Sequence, residues 1–320
     1  MKPIKMYPAF RYGKATPWGD EGLRAFGKAI PDPHTGESLE ISVLPELESR
    51  DENGHTLTEL LEQYGEAMRG KKMETFPLLL KLISAGESLS VQVHPDDAYA
   101  RTHEHGKLGK SEAWVILSAK PDAQIIYGIR EGVTKEKLEN ACRQGGKAVR
   151  ECLNFVNVAA GDVYFIPAGM VHALCGGVTL MEIQESSDVT YRFYDWDRVD
   201  AQGKTRELHI QKGLDVTDVS LHLPRCEGKT RAFSGGRVTR YIEEKAFVLE
   251  RWFCENEMEL PLTPEHFVLL CALGDGELSW NGGKMPLQKG DCVFLPAECE
   301  KTKLCGQMDA LLCWTEGYYE

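Results

Sequence analysis

The chain has 320 residues, 42% hydrophobic and 27% charged, enough apolar material for one large domain or two. A net charge of −12 excludes non-specific nucleic-acid binding, which depends on Lys and Arg neutralising phosphates, and means that an anionic ligand would need a local excess of cations. The opening MKPIKMYPAFRYGK lacks the apolar run of a signal peptide, FPLLLKLI and HFVLLCALG are far short of the roughly 18 residues of a bilayer span, and ten scattered cysteines form no CxxC, so a cytoplasmic protein with reduced thiols is expected.

In chain order, TLTELLEQYGEAMRG (56–70) predicts a helix, with Thr56 and Glu59 at capping-box spacing and Leu57, Leu60, Leu61 and Tyr64 on one face. DDAYARTHEHG (96–106) and TKEKLENACRQGG (134–146) predict two more, the latter stopped by Gly145-Gly146. RELHIQKGLDV (206–216) predicts a fourth. The remainder is short β signal: LSVQVH, AWVIL, QIIYGI, DVYFIP, VTLMEIQ and VTYRFYDW run apolar or alternate between turn residues. Past about residue 235 the helical pattern stops. The polar stretch CEGKTRAFSGG (226–236) suggests a boundary near 230, giving domains 1–230 and 231–320.

The two halves share an echo. GDVYFIPAGMVH (161–172) is answered by GDCVFLPAECEK (290–301), with Gly-Asp, Phe and Pro-Ala at matching places. A strand, a proline turn and a returning strand built twice would give this repeat. The first copy ends in His172, the second in Lys301.

Side chains alternate faces along a strand. In LSVQVHP this puts Leu89, Val91 and Val93 on one face and Ser90, Gln92 and His94 on the other. In KSEAWVIL, Ala113, Val115 and Leu117 share one face while Lys110, Glu112 and Trp114 share the opposite one. His172 follows the PAG turn, where a hairpin can aim it inward. Gln92, His94, Glu112 and His172 together offer two imidazoles, a carboxylate and an amide oxygen, a fitting shell for a divalent first-row metal with positions left open.

That His, Glu, His set spread over hairpins has the cupin pattern. With LSVQVHPDD (89–97), GKSEAW (109–114), IYG (126–128), GDVYFIPAGMVHAL (161–174) and MEIQESSDVTYRFYDWDR (181–198), the chain resembles the type I mannose-6-phosphate isomerases (phosphomannose isomerases) of the short bacterial form. The resemblance implies a mainly β fold of two cupin-type jelly-roll barrels, with a few short helices on the first. It implies one zinc ion on Gln92, His94, Glu112 and His172. It places an active-site arginine at Arg192, a lysine at Lys110, pocket acids at Glu182 and Asp188, a serine near the substrate phosphate at Ser90 and a linked basic position at Arg198. Many members carry His-Pro where this chain has Leu44-Pro45, which removes the expected basis for a pocket role of that loop. The second half, with Lys301 at the ligand place, would keep the hairpin without the metal.

The implied reaction interconverts mannose 6-phosphate and fructose 6-phosphate through a cis-enediol. It needs a base over C1 and C2, stabilisation of an enediolate oxygen and a phosphate anchor. Glu182 and Asp188 both stand as candidate bases, with Lys110 as proton relay and Arg192 for charge stabilisation. The anchor falls to Ser90 and Arg198. The rival readings are another cupin metalloenzyme, such as a dioxygenase or a different sugar isomerase, and a non-catalytic sugar-phosphate-binding regulator.

Overall fold

The computed structural model describes residues 1–71, 73, 75–200 and 202–315. The fold is mainly β, with every ladder antiparallel. In the first half, Leu78–Ala85 and Val178–Glu185 are central to a six-stranded sheet that includes Glu112–Ala119 and Val163–Ile166. A second sheet of five strands runs in the order Tyr191–Tyr194, Val91–Val93, His172–Leu174, Gln124–Ile129, Leu153–Asn157. The C-terminal half pairs a seven-stranded with a four-stranded sheet. Where closed barrels were expected, the hydrogen bonding gives four open sheets among the described residues.

The two halves share a core. Ile41, Leu80 and Met181 from the first pack in one cluster with Phe247, Phe267 and Phe294 from the second. The strand Ile4–Met6 is an edge of the C-terminal sheet, paired with Cys292–Leu295. Lys28 is buried at the junction, donating to Glu40 Oε2 at 2.6 Å and to the carbonyl of Gly290 at 2.7 Å.

The helices follow local chemistry with three departures. Thr56 caps Leu57–Tyr64 through the expected box: its hydroxyl accepts from the Glu59 amide at 3.1 Å, and Glu59 accepts from the Thr56 amide at 2.7 Å. Gly65 then breaks the helix, and a short turn, Glu66–Arg69, completes the predicted span. Asp97–His103 forms as expected, with Asp96 as its cap. Gly145 ends Lys135–Gln144, but Gly146 opens another helix, Gly146–Cys152, instead of a loop. The last helix begins only at Ile210. Residues 205–209 run beside Arg192, and the His209 amide donates to the Arg192 carbonyl at 2.8 Å.

The echo is structural. Gly161 and Gly290 both adopt positive φ (95° and 93°), a conformation that costs glycine least. Gly161 N–H donates to Ile116 O and Gly290 N–H to Ala272 O, both at 2.8 Å. The Asp162 and Asp291 carbonyls accept from the amides of the same two residues, Ile116 and Ala272, at 2.9 Å each. Asp162 Oδ2 accepts from the Ala159 amide, and Asp291 Oδ2 from that of Gln288. The proline turns match as well: Met170 N–H donates to Pro167 O, and Cys299 N–H to Pro296 O.

Candidate active site

Three neighbouring strands carry the site's central row. His172 faces Gln92 across one ladder, and Gln92 faces Arg192 across the next. Residues opposite one another in a ladder point to the same face, so the three side chains line up. Val91 and Val93 bury the other face of their strand, as the alternation predicts. Leu89 departs from it, because the strand begins only at Val91 and Leu89 lines the pocket beside Ser90.

From the other sheet comes Glu112, the first residue of Glu112–Ala119. Its neighbours Ala113, Val115 and Leu117 enter the shared core, which fixes Glu112 and Trp114 on the pocket side. His94, Glu112 and His172 are all fully buried, with ligand atoms within 4.8 Å of one another. His94 Nδ1 is 2.8 Å from the Val189 carbonyl, and His172 Nδ1 is 2.9 Å from that of Met170. A carbonyl can only accept, so each Nδ1 carries the proton and each Nε2 is left to bind. These nitrogens lie 3.2 and 3.6 Å from the Glu112 oxygens.

The electrostatics suit a cation. Burial, helped by the Lys110 ammonium, pushes the His94 imidazolium down to about 3, so the ring is neutral at physiological pH. Burial lowers His172 likewise. For Glu112 burial acts upward, but Lys110 and the two imidazoles outweigh it and hold the carboxyl well below its usual range. Lys110 Nζ is 2.5 Å from Glu112 Oε1 and 3.2 Å from His94 Nε2. Even so, neither Glu112 oxygen receives an aligned hydrogen bond, and the buried Gln184 Oε1, on the residue facing Glu112 across the ladder, has none either. Buried acceptors without donors are costly, and a divalent ion satisfies them. The donor set therefore fits a divalent metal.

Around this cluster the pocket lining includes five cations, Arg11, Lys81, Lys110, Arg192 and Arg206, against three acids, Glu37, Glu182 and Asp188. In a chain of net charge −12 this is a local reversal of sign. Glu182 is buried, accepting from Trp114 Nε1 at 2.9 Å and from Lys81 Nζ at 3.2 Å. Burial and the nearby Glu112 charge raise its carboxyl above the ordinary value. Lys81 also approaches Glu37 at 3.7 Å, and Glu37 pairs with Arg11 at 3.1 Å. Asp188 lines the pocket half exposed, in an ion pair with Lys107 at 2.6 Å. Lys107 draws its carboxyl down against the upward effect of burial.

Ser90 reaches the pocket; Arg198 is not among its lining residues. Its Nη2 is held by Asp195 Oδ1 at 2.6 Å. Arg11, Glu37, Lys81 and Arg206 were not singled out from the sequence. Lys81 carried a signal, as the one charge inside the apolar run PLLLKLIS. Leu44 lines the pocket, so the loop holding it does form part of the wall.

The pattern described as the catalytic domain of phosphomannose isomerase type I matches residues 14–110. Mannose-6-phosphate isomerase ManA of Bacillus subtilis (strain 168) is 35% identical over 315 residues, covering 97% of this chain and 98% of that protein. The chain belongs to the mannose-6-phosphate isomerase family. Another mannose-6-phosphate isomerase, from Streptococcus mutans, is 35% identical over 92% of this chain and 93% of its own. The crystal structure of the mannose 6-phosphate isomerase from Bacillus subtilis superposes with a TM-score of 0.89 at 34% identity, covering 98% of this chain and 99% of that one. The family's cupin-domain pattern matches residues 237–313.

Proposed function

We propose that this protein interconverts D-mannose 6-phosphate and D-fructose 6-phosphate, using one divalent ion, zinc by preference, in a cytoplasmic setting. The observation that carries this reading is a buried His94, Glu112, His172 cluster whose neighbours Gln92 and Lys110 line a cation-rich pocket in an otherwise acidic chain. Zinc suits two neutral imidazoles and a carboxylate, and Gln92 completes the set. Its amide lies 3.4 Å from His172 Nε2, and half a turn of the amide presents Oε1 to the same point. Ten thiols, all buried or half buried, support a reducing compartment.

In the reaction, the ion supplies Lewis-acid polarisation of a substrate oxygen. Glu182 moves the proton between C1 and C2. Its buried, upward-shifted carboxyl suits abstraction from carbon better than the exposed, Lys107-bound Asp188. Trp114 and Lys81 fix the orientation of that carboxylate. Lys110, beside the cluster, serves the proton moving between the two oxygens. Arg192 faces Gln92 and places a permanent positive charge next to the developing enediolate. Ser90 contributes a hydroxyl near the phosphate.

We read residues 1–230 as the catalytic part and 231–320 as a brace, each built as a jelly-roll-like pair of sheets. The support is the repeated Gly-Asp and proline turns, with Lys301 where the first copy has His172. The test is a coupled assay of mannose 6-phosphate conversion with purified protein, after chelation and after zinc is restored. Turnover that chelation removes and zinc returns is the expected result. A folded, metal-loaded protein with no turnover would overturn the reading and favour a dioxygenase or a sugar-phosphate-binding regulator.

A further inference from the structure

The row His172, Gln92, Arg192 does not end at Arg192. The next backbone segment is residues 205–209, and its position is fixed at two points. His209 N–H donates to Arg192 O at 2.8 Å, and Arg192 N–H donates to His209 Nδ1 at 3.3 Å. Thr205 bridges to Val199. Between these points stands Arg206, which lines the pocket. Successive strands are about 4.8 Å apart, so the order across the pocket is metal cluster, amide, first guanidinium, second guanidinium.

Neither Arg192 nor Arg206 forms an ion pair among the described residues, and the buried Nε of Arg192 has no hydrogen-bond partner. The two are close enough that Arg206, after burial, is the next largest influence lowering the Arg192 guanidinium. The Asp195 and Glu207 carboxylates act on Arg192 and offset part of this repulsion, but neither is in ion-pair contact with it, and an anion beside the two guanidiniums relieves the rest. By contrast, Asp195 already holds Arg198, which does not line the pocket.

We propose that Arg206, beside Arg192, is the guanidinium that binds the substrate's phosphate, and that Arg198 instead braces the turn at Asp195. The identity of the sugar rests on the isomerase reading above; the anion site does not. A phosphosugar laid along the row brings its carbonyl end to the ligand cluster and Arg192, and its phosphate to Arg206 beyond them. Phosphorylated and unphosphorylated sugars would then be told apart at Arg206, far from the atoms that react.

The test compares metal-loaded wild type with Arg206→Gln, Arg206→Lys and, as a charge control, Arg231→Gln on the exposed strand Lys229–Phe233. Two readouts are taken: kcat and KM for mannose 6-phosphate, and the affinity for inorganic phosphate by calorimetry. Losing a charged hydrogen bond in Arg206→Gln is expected to raise KM about 10- to 100-fold with kcat within about threefold, and to weaken phosphate binding in parallel. Arg206→Lys should lie between, because lysine keeps the charge but not the fork. Arg231→Gln should match wild type. Unchanged KM and phosphate affinity in Arg206→Gln, or a loss confined to kcat, would overturn the assignment. If wild type itself does not convert mannose 6-phosphate, the isomerase reading fails and the phosphate titration alone decides the anchor.

Discussion

Val268 occupies in the C-terminal sheet the register position that Glu112 occupies in the N-terminal one. Each faces the strand that follows a Gly-Asp turn, Glu112 opposite Ile166 and Val268 opposite Leu295. Lys301, at the place of His172, points outward, 87% exposed and 3.4 Å from Glu259. The second copy keeps the turns and their hydrogen bonds, but an apolar Val268 stands where the first has Glu112.

Val268→Glu should therefore recreate no site. Val268 is fully buried among Val248, Leu270 and Leu312. A lone carboxylate there should cost about 3 kcal/mol or more, seen as a lower denaturant midpoint, without added metal in elemental analysis. A variant as stable as wild type would mean that this core tolerates charge.

Glu112→Gln tests the ligand set. Removing the anionic donor should cut bound metal below about a tenth of wild type and lower kcat by about 10³ or more, with the fold kept. Full metal content at reduced activity would instead make Glu112 a catalytic group and not a ligand.

Trp114→Phe removes the indole N–H that Glu182 Oε2 accepts. A donor to a carboxylate favours its charged form, so its loss raises the Glu182 pKa further. The acid limb of the rate profile should move to higher pH, with kcat at neutral pH down about tenfold. An acid limb that stays in place would take Glu182 out of the proton-transfer role.

The chelated protein should lose stability as pH falls below about 6.5. There an unfolded imidazole takes up a proton that folded His94 refuses down to about 3, and His172 shifts the same way. The unfolded state then binds more protons, so stability declines with falling pH by up to about 1.4 kcal/mol per pH unit for each such group. Glu112, held low when folded, adds to the decline below the ordinary carboxyl range. Urea unfolding between pH 7.5 and 5 should show the slope, and His94→Gln should reduce it. A flat response would mean that the folded rings protonate freely.

Much of the site was legible because it is written in period two. Alternation in LSVQVH and KSEAWVIL put Gln92, His94 and Glu112 on the polar faces of apolar strands. What alternation does not give is which strands meet. Arg198 lies close in sequence to the TYR motif yet does not line the pocket, whereas Arg206 does, arriving beside Arg192 through backbone pairing at His209. That pairing was hidden because RELHIQKGLDV reads as one helix, and only its part from Ile210 is one. Sheet closure is equally invisible locally, since it depends on long-range hydrogen bonds between edge strands.

The strand Ile4–Met6 completes a sheet whose partner strand, Cys292–Leu295, lies nearly the whole chain away. On the ribosome the first of these is made long before the second. The C-terminal sheet therefore has an edge that waits through most of synthesis, and the core shared by the two halves waits with it. The two N-terminal sheets are complete by residue 194, so nascent chains stalled before residue 292 should be open to proteases at Ile4–Met6 and in the unfinished C-terminal sheet while residues 78–194 resist.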